Sequence, residues 1–224
     1  MSESRKEREF KQREKEILET ANSLFGEQGL DNVTVADIAK ATDIGKGTIY
    51  KHFASKDVIL ARIGNDFSYS LISLVRKIDT DMSAESQMRE MFDICFRAHI
   101  KSPLMSEICR LYQQPSFIDN LPEEYQKQCL EIEQEFFVVL NRICEQGKRN
   151  NELPDLSVDE LIMGAHATFI GALEMLRSQQ RKCFTDAPQL SQERFINIII
   201  NYTMTGIFGR RIEDQHVTSG EPHE

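Results

Sequence analysis

Apolar positions recur along this chain at steps of three and four residues rather than two, the period of helices that bury one face. Ile17, Ala21, Leu24 and Phe25 open the pattern, and Gly29 closes it as a residue suited to a helix C-terminus. Thr34-Val35-Ala36-Asp37 has the spacing of a capping box, and Ile38, Ala39 and Ala41 then line about two turns that end near Asp43-Ile44-Gly45. A second short helix follows at once, with Ile49 and Phe53 four apart as its anchored face. Ser55 is a good N-cap for a long fourth helix in which Leu60, Ile63, Phe67, Leu71, Leu74 and Ile78 recur. At about 25 residues such a helix spans more than about 30 Å, enough to belong to two domains at once.

Residues 79–86 form a polar break, and a fifth helix is predicted over about 84–101 with Met88, Met91, Phe92, Cys95, Phe96 and His99 inward. Ser102-Pro103 restarts the helix with proline in its first turn, through Leu104, Ile108, Leu111 and Tyr112, and Pro115 stops it. Pro122 opens another, to about Lys148, whose apolar side carries Cys129, Ile132, Phe136, Phe137, Leu140 and Ile143. Residues 150–155 read as a loop, and Ser157-Val158-Asp159-Glu160 is a second capping box. The two helices that follow are apolar nearly all round. One carries Leu161, Ala165, Thr168 and Ala172 on one stripe and Ile162, His166, Phe169, Leu173 and Leu176 on another. The other has Phe195, Ile198, Ile199 and Tyr202 facing one way and Ile196, Ile200, Met204 and Ile207 the other. Such helices need cover on both sides, which a second copy of the chain supplies; two central helices of a monomeric bundle are the alternative. The fold class predicted is all-α, with about nine helices and a polar, disordered tail over 213–224.

The short helix pair joined by a glycine-containing turn is the helix-turn-helix pattern. Its second helix begins Gly45-Lys46-Gly47-Thr48, a bare, donor-rich front that the DNA major groove admits. The net charge of −9 argues against a nucleic-acid partner only until it is divided along the chain. Residues 1–56 hold ten Lys/Arg and ten Asp/Glu, and between Lys40 and Lys56 four lysines stand against Asp43 alone. Binding follows the charge of the contacting face, not the sum. The first twelve or so residues, nearly all charged, read as an arm or an extended first helix.

The five cysteines include no Cys-x-x-Cys pair, and Cys95 with His99 is the only arrangement with a conceivable metal or nucleophilic reading. No metal or cofactor is expected. No apolar run reaches the roughly 18 residues of a membrane span, and the charged N-terminus has no signal-peptide core. The chain is therefore expected to be cytoplasmic, without a membrane partner.

Ile17-Leu18-Glu19-Thr20-Ala21, Leu24-Phe25-Gly26-Glu27-Gln28-Gly29, Thr34-Val35-Ala36-Asp37-Ile38-Ala39 and Gly47-Thr48-Ile49-Tyr50-Lys51-His52-Phe53 with Ser55-Lys56-Asp57 resemble, in that order and without a gap, the TetR family of bacterial transcriptional regulators. Gly45 stands where that family often has Ser or Thr as N-cap. The resemblance implies a three-helix helix-turn-helix domain over 1–55 and an effector-binding and dimerisation domain over 56–212. It implies a homodimeric repressor that binds a palindromic operator on double-stranded DNA and is released by a small molecule. DNA-contacting positions are then Thr34, Thr42, Lys46, Gly47, Thr48, Tyr50, Lys51, His52 and Lys56. Effector-lining candidates are Phe67, Cys95, His99, Met105, Phe136, Leu140, His166 and Phe169, whose mostly apolar make-up points to a hydrophobic or amphipathic effector. Dimer-interface candidates are Leu161, Ala165, Thr168, Ala172, Phe195, Ile199, Tyr202 and Gly206. Two alternatives stand beside this reading. One is a factor of the same fold that organises DNA or acts in cell division without an effector. The other is an all-helical enzyme built on Cys95 and His99.

Overall fold

The structure, a computed structural model, describes residues 4–154, 157–177 and 191–209. Among them are ten α-helices and no strand: α1 (Arg5–Gln28), α2 (Val35–Ala41), α3 (Lys46–His52), α4 (Lys56–Val75), α5 (Ala84–Lys101), α6 (Pro103–Tyr112), α7 (Pro115–Asp119), α8 (Glu123–Arg149), α9 (Val158–Arg177) and α10 (Gln192–Phe208). Leu30–Asn32 adds one 3-10 turn after α1. The expected tail over 213–224 and Cys183 lie outside the described residues.

The helices start where their side chains can satisfy the first backbone N–H groups. Ser4 and Glu7, Thr34 and Asp37, and Ser157 and Glu160 each make the two reciprocal bonds of a capping box. Ser55, Ser83 and Ser191 accept single N-cap bonds. The charged N-terminal stretch is continuous with α1 from Arg5 onward. Pairs such as Arg5–Glu9, Arg13–Glu16 and Lys15–Glu19 lie three or four residues apart along its exposed face. Pro115, expected only to stop α6, also opens the five-residue α7, because proline fits the first helical turn as well as it ends the previous helix.

Two hydrophobic cores divide the molecule, and the first runs on past residue 55. The first core gathers Ile17, Ala21, Phe25, Ile38, Ile49 and Phe53 from α1–α3 and runs on into Val58–Ile63 of α4, Leu104, Met105 and Ile108 of α6, Phe117 and Cys129. The second holds Val75 and Ile78 with Met88, Phe92, Cys95 and Phe96 of α5, Ile143 of α8, and the inner faces of α9 and α10. Helix α4 passes from one core to the other and packs on α1, α5, α6 and α8. By length and composition α4 is apolar enough to cross a membrane, yet ten of its residues are buried inside the protein. It ends five residues earlier than its apolar period suggested. Leu74 is left exposed while Ile78 is buried beyond the helix.

A buried polar cluster fixes the second core's near end. Gln87, fully buried, donates to Gln146 Oε1 (2.9 Å) and to the Met82 carbonyl (2.8 Å), and Gln146 donates to the same carbonyl (3.0 Å). The Glu152 carboxylate accepts from the backbone N–H of Ala84 (2.7 Å). These bonds tie the α4–α5 connection to both ends of the α8 turn, leaving no buried amide unpaired there.

Candidate nucleic-acid interface

Helix α3 is short and two-faced. Ile49 and Phe53 are buried in the first core, while Lys46, Gly47, Tyr50 and Lys51 are exposed, and Thr48 is half-buried between them. Tyr50 is 52% exposed, unusual for so large a ring on a seven-residue helix. Gly45 is an extended N-cap with no side-chain bond, and a Cβ built on Gly47 would meet nothing within 4 Å. The front of α3 is thus open backbone beside two lysines, with exposed Lys40 of α2 nearby in sequence. The turn from α2 to α3 runs through Asp43, whose φ of 51° lies in the left-handed region, with Gly45 as the N-cap that follows. Aspartate tolerates that region better than most side chains.

Other expected DNA-contacting side chains are occupied within the domain. Thr34 Oγ1 donates to Asp37 Oδ2 at 2.6 Å. That bond, with the one from the Thr34 backbone, holds the Asp37 carboxyl below its ordinary range. Thr42 Oγ1 donates back to the Ile38 carbonyl at 2.8 Å. His52 turns inward: its side chain is 7% exposed, its ring lies 4.0 Å from that of Phe10, and its Nδ1 is 3.7 Å from Glu14 Oε1. That Nδ1 is buried without a hydrogen-bond partner. Lys56 donates from Nζ to the Leu30 carbonyl and sits 5.8 Å over the Phe25 ring. It fastens the 3-10 turn to the start of α4. The exposed set is therefore Lys46, Gly47, Tyr50 and Lys51, and the inward set is His52 and Lys56.

The expected effector-lining residues fall into two groups. Cys95, Phe136, Leu140 and Phe169 belong to the second core or pack on it. Phe67 and His99 join them through ring contacts: Phe67–His99 at 5.1 Å, His99–Phe169 at 5.6 Å and Phe96–Phe169 at 4.7 Å. Met105 instead lies in the first core, beside the helix-turn-helix residues. His166 is exposed; it follows buried Ala165 by one residue, about 100° round the helix, and so leaves the inner face. Cys95 is not arranged as a nucleophile. Burial pushes its thiol up to about 12, and His99 Nδ1 bonds the Cys95 carbonyl (2.8 Å), not its sulfur.

The expected dimer stripe divides between buried and exposed positions. Leu161, Ala165, Ala172 and Phe195 are buried inside the second core. Thr168 and Ile199 are half-buried at its edge, and Tyr202 and Gly206 lie on the open side. Also exposed are Met163 (72%), which the periodicity had not singled out, and Ile198 (46%), which shares a stripe with Tyr202 (72%). Gly164, Gly171 and Gly206 on α9 and α10 have open space where a Cβ would stand.

One buried arrangement escaped the sequence reading altogether. Tyr112 of α6 donates to the Ala61 carbonyl (3.0 Å) and to Asn65 Oδ1 (2.8 Å), and Asn65 donates to Gln128 Oε1 of α8 (3.0 Å). Next to it, a Cβ on Gly64 would meet Ile108 Cγ2 at 2.8 Å and Tyr112 at 3.0 Å. The signal available was a polar Asn65 inside the apolar run of α4.

Residues 17–63 match the family model described as bacterial regulatory proteins of the tetR family. The chain is 31% identical over 152 residues to the HTH-type transcriptional repressor KstR2 of Mycobacterium tuberculosis, spanning 64% of this chain and 71% of that one. Among solved structures, the transcriptional regulator FadR from Bacillus subtilis in complex with stearoyl-CoA superposes with a TM-score of 0.66 at 18% identity, covering 86% and 98% of the two chains. A transcriptional regulator of the TetR/AcrR family from Thermobifida fusca gives 0.64 at 21% identity, covering 89% and 100%.

Proposed function

The chain belongs to the TetR family of bacterial DNA-binding transcriptional regulators, and from that premise we propose that it is a homodimeric repressor of a palindromic operator, released by a small, mainly hydrophobic effector. The observation that carries this reading is the division of α3. Its core side is fully buried, and its other side leaves Lys46, Gly47, Tyr50 and Lys51 exposed among the described residues. In this reading Lys46 and Gly47 meet base edges at the open end of α3, with Thr48 beside them. Tyr50 and Lys51 grip the phosphate backbone. His52 and Lys56 act from behind. They fix α3 and the start of α4 against α1, so that the exposed set keeps its spacing.

Met163, Ile198 and Tyr202 support a dimer face on α9 and α10, because three large apolar side chains so exposed on two adjacent helices want cover. The glycines beside them permit close helix approach. Two α3 helices related by a dyad would then read two half-sites. Release by an effector is supported by the shared cores. Helix α6 contributes to the core of the DNA-binding helices and also packs on α9, while the Tyr112–Asn65 bonds fasten it to α4. A ligand that moves α5 or α9 would be felt by α6, and through it by the DNA-binding helices. A relative of the same fold holding stearoyl-CoA supports an acyl or similarly apolar ligand.

Selection of duplexes from a random pool by the purified chain tests the proposal. An enriched inverted repeat, bound by two subunits, is expected. Enrichment of nothing beyond the starting pool would overturn it.

A further inference from the structure

Helix α1 begins about three turns before its packing requires. Every residue from Arg5 to Gln12 is exposed, and the first buried residue is Ile17. A solvated helix end frays unless it is tied down. This one is tied at two places. Ser4 Oγ accepts from the Glu7 N–H (3.2 Å) and Glu7 Oε2 from the Ser4 N–H (2.8 Å), a complete capping box. Phe10, the one large apolar residue of the segment, packs on α3. Its ring lies 4.0 Å from that of His52, the last residue of α3, and Glu14 one turn on stands 3.7 Å from His52 Nδ1. The front of α1 is thereby held against the C-terminal end of α3.

That contact sorts the cations of the segment by face. Arg5, Arg13 and Lys15 pair with Glu9, Glu16 and Glu19, and Lys11 is also engaged. Lys6 and Arg8 have no ion pair among the described residues. They point opposite ways. Lys6, Phe10, Glu14 and Ile17 fall at i, i+4, i+8 and i+11, the stripe that meets α3 and the core. Arg8 lies about 160° round the helix from Phe10. Glu7, about 100° round from Lys6, is turned back onto the Ser4 N–H. Lys6 therefore stands one turn, about 6 Å, beyond the Phe10–His52 contact. Exposed Lys51 precedes His52 at that same end of α3. The flexible four-carbon stem of a lysine spans such a gap.

On the reading that the exposed face of α3 binds DNA, we infer that Lys6 is a further DNA contact: its ammonium holds a backbone phosphate next to the stretch that α3 meets, and the Phe10–His52 contact places it there. A contact of this kind adds salt-dependent affinity and fixes the orientation of α3 without reading sequence. Arg8, facing away, makes no such contact.

Affinity of the full chain for a duplex selected from a random pool, measured over a salt series, tests this. Lys6→Ala is expected to make the slope of log affinity against log salt shallower by about two, one phosphate per subunit of a dimer. Its melting temperature should stay that of the wild type, because Lys6 is exposed. Lys6→Arg is expected to keep the slope. Arg8→Ala, which removes the same charge from the opposite face, is expected to leave the slope unchanged. A wild-type slope for Lys6→Ala overturns the contact. Equal losses for Lys6→Ala and Arg8→Ala also overturn it, because net charge alone then accounts for both. Lys51→Ala, measured alongside, separates this failure from that of the premise. A shallower slope for Lys51→Ala with none for Lys6→Ala removes Lys6 and leaves α3 in place. Selection of no duplex by the wild type removes the α3 reading, and this inference with it.

Discussion

Lysines that look alike in the sequence do different things in the folded domain. Lys46 and Lys51 are exposed on α3, while Lys56 donates to the Leu30 carbonyl. Replacing Lys46 or Lys51 by alanine is expected to weaken DNA binding with little change in melting temperature. Lys56→Ala is expected to lower fold stability by about 1–2 kcal/mol, the worth of a charge-assisted bond. Thermal unfolding beside a DNA-binding assay separates the two classes. Asp37 gives a pH prediction. Its carboxyl is held below the ordinary range by Thr34, so its contribution is present above that range and lost as pH falls below it. Thermal melts of wild type and Asp37→Asn should therefore differ near neutral pH and converge in acid. Identical melts at every pH would contradict it. Which positions lie on the exposed side was partly legible. Ile49 and His52 fall at i and i+3 on α3, so His52 shares the side of the buried anchor, whereas Lys56 opens α4 beyond the break at Phe53. Residue type alone, two cationic or near-neutral donors beside a groove-reading helix, suggested the opposite.

Helices were the most legible level, because their ends carry chemistry that reads directly. The capping boxes at Thr34 and Ser157 form as their spacing implies, and α5 runs over Ala84–Lys101 as its apolar period predicts. What the spacing did not carry is which neighbour each face meets. On α9 both stripes are apolar, and each meets the core: Leu161, Ala165 and Ala172 of one stripe and Leu173 of the other are buried, while Phe169 of the second stripe lies against Phe96. Gly64 is a second such place, since a methyl group there would press on Ile108 and Tyr112. Gly64→Ala is expected to cost about 1–3 kcal/mol, as overpacked cores do. Tyr112→Phe should cost about 1–2 kcal/mol through the bonds lost to Ala61 and Asn65. It should also weaken any effect of ligand on DNA binding more than it weakens ligand binding itself. Chemical denaturation gives the first quantities, and paired ligand and DNA titrations give the last.

At the scale of the molecule the TetR architecture was readable from four short segments in one order, whereas the sharing of α4 and α6 between both cores was not, because it depends on packing. The assembly prediction rests on exposed Met163, Ile198 and Tyr202. Tyr202→Asp is expected to weaken self-association about thirtyfold or more, a hot-spot loss of about 2 kcal/mol. Sedimentation should show it as monomer at concentrations where the wild type is dimeric, with helix content unchanged. The central claim is that the exposed face of α3 binds DNA as one of a symmetric pair. Its most direct measurement is the salt dependence of affinity for a selected duplex, for wild type, Lys51→Ala and Lys46→Ala/Lys51→Ala. The account predicts that the slope of log affinity against log salt becomes shallower by about two for Lys51→Ala, one phosphate contact per subunit, and by at least as much for the double variant. A slope that the double variant leaves unchanged would contradict it, and would move the DNA-binding surface away from α3.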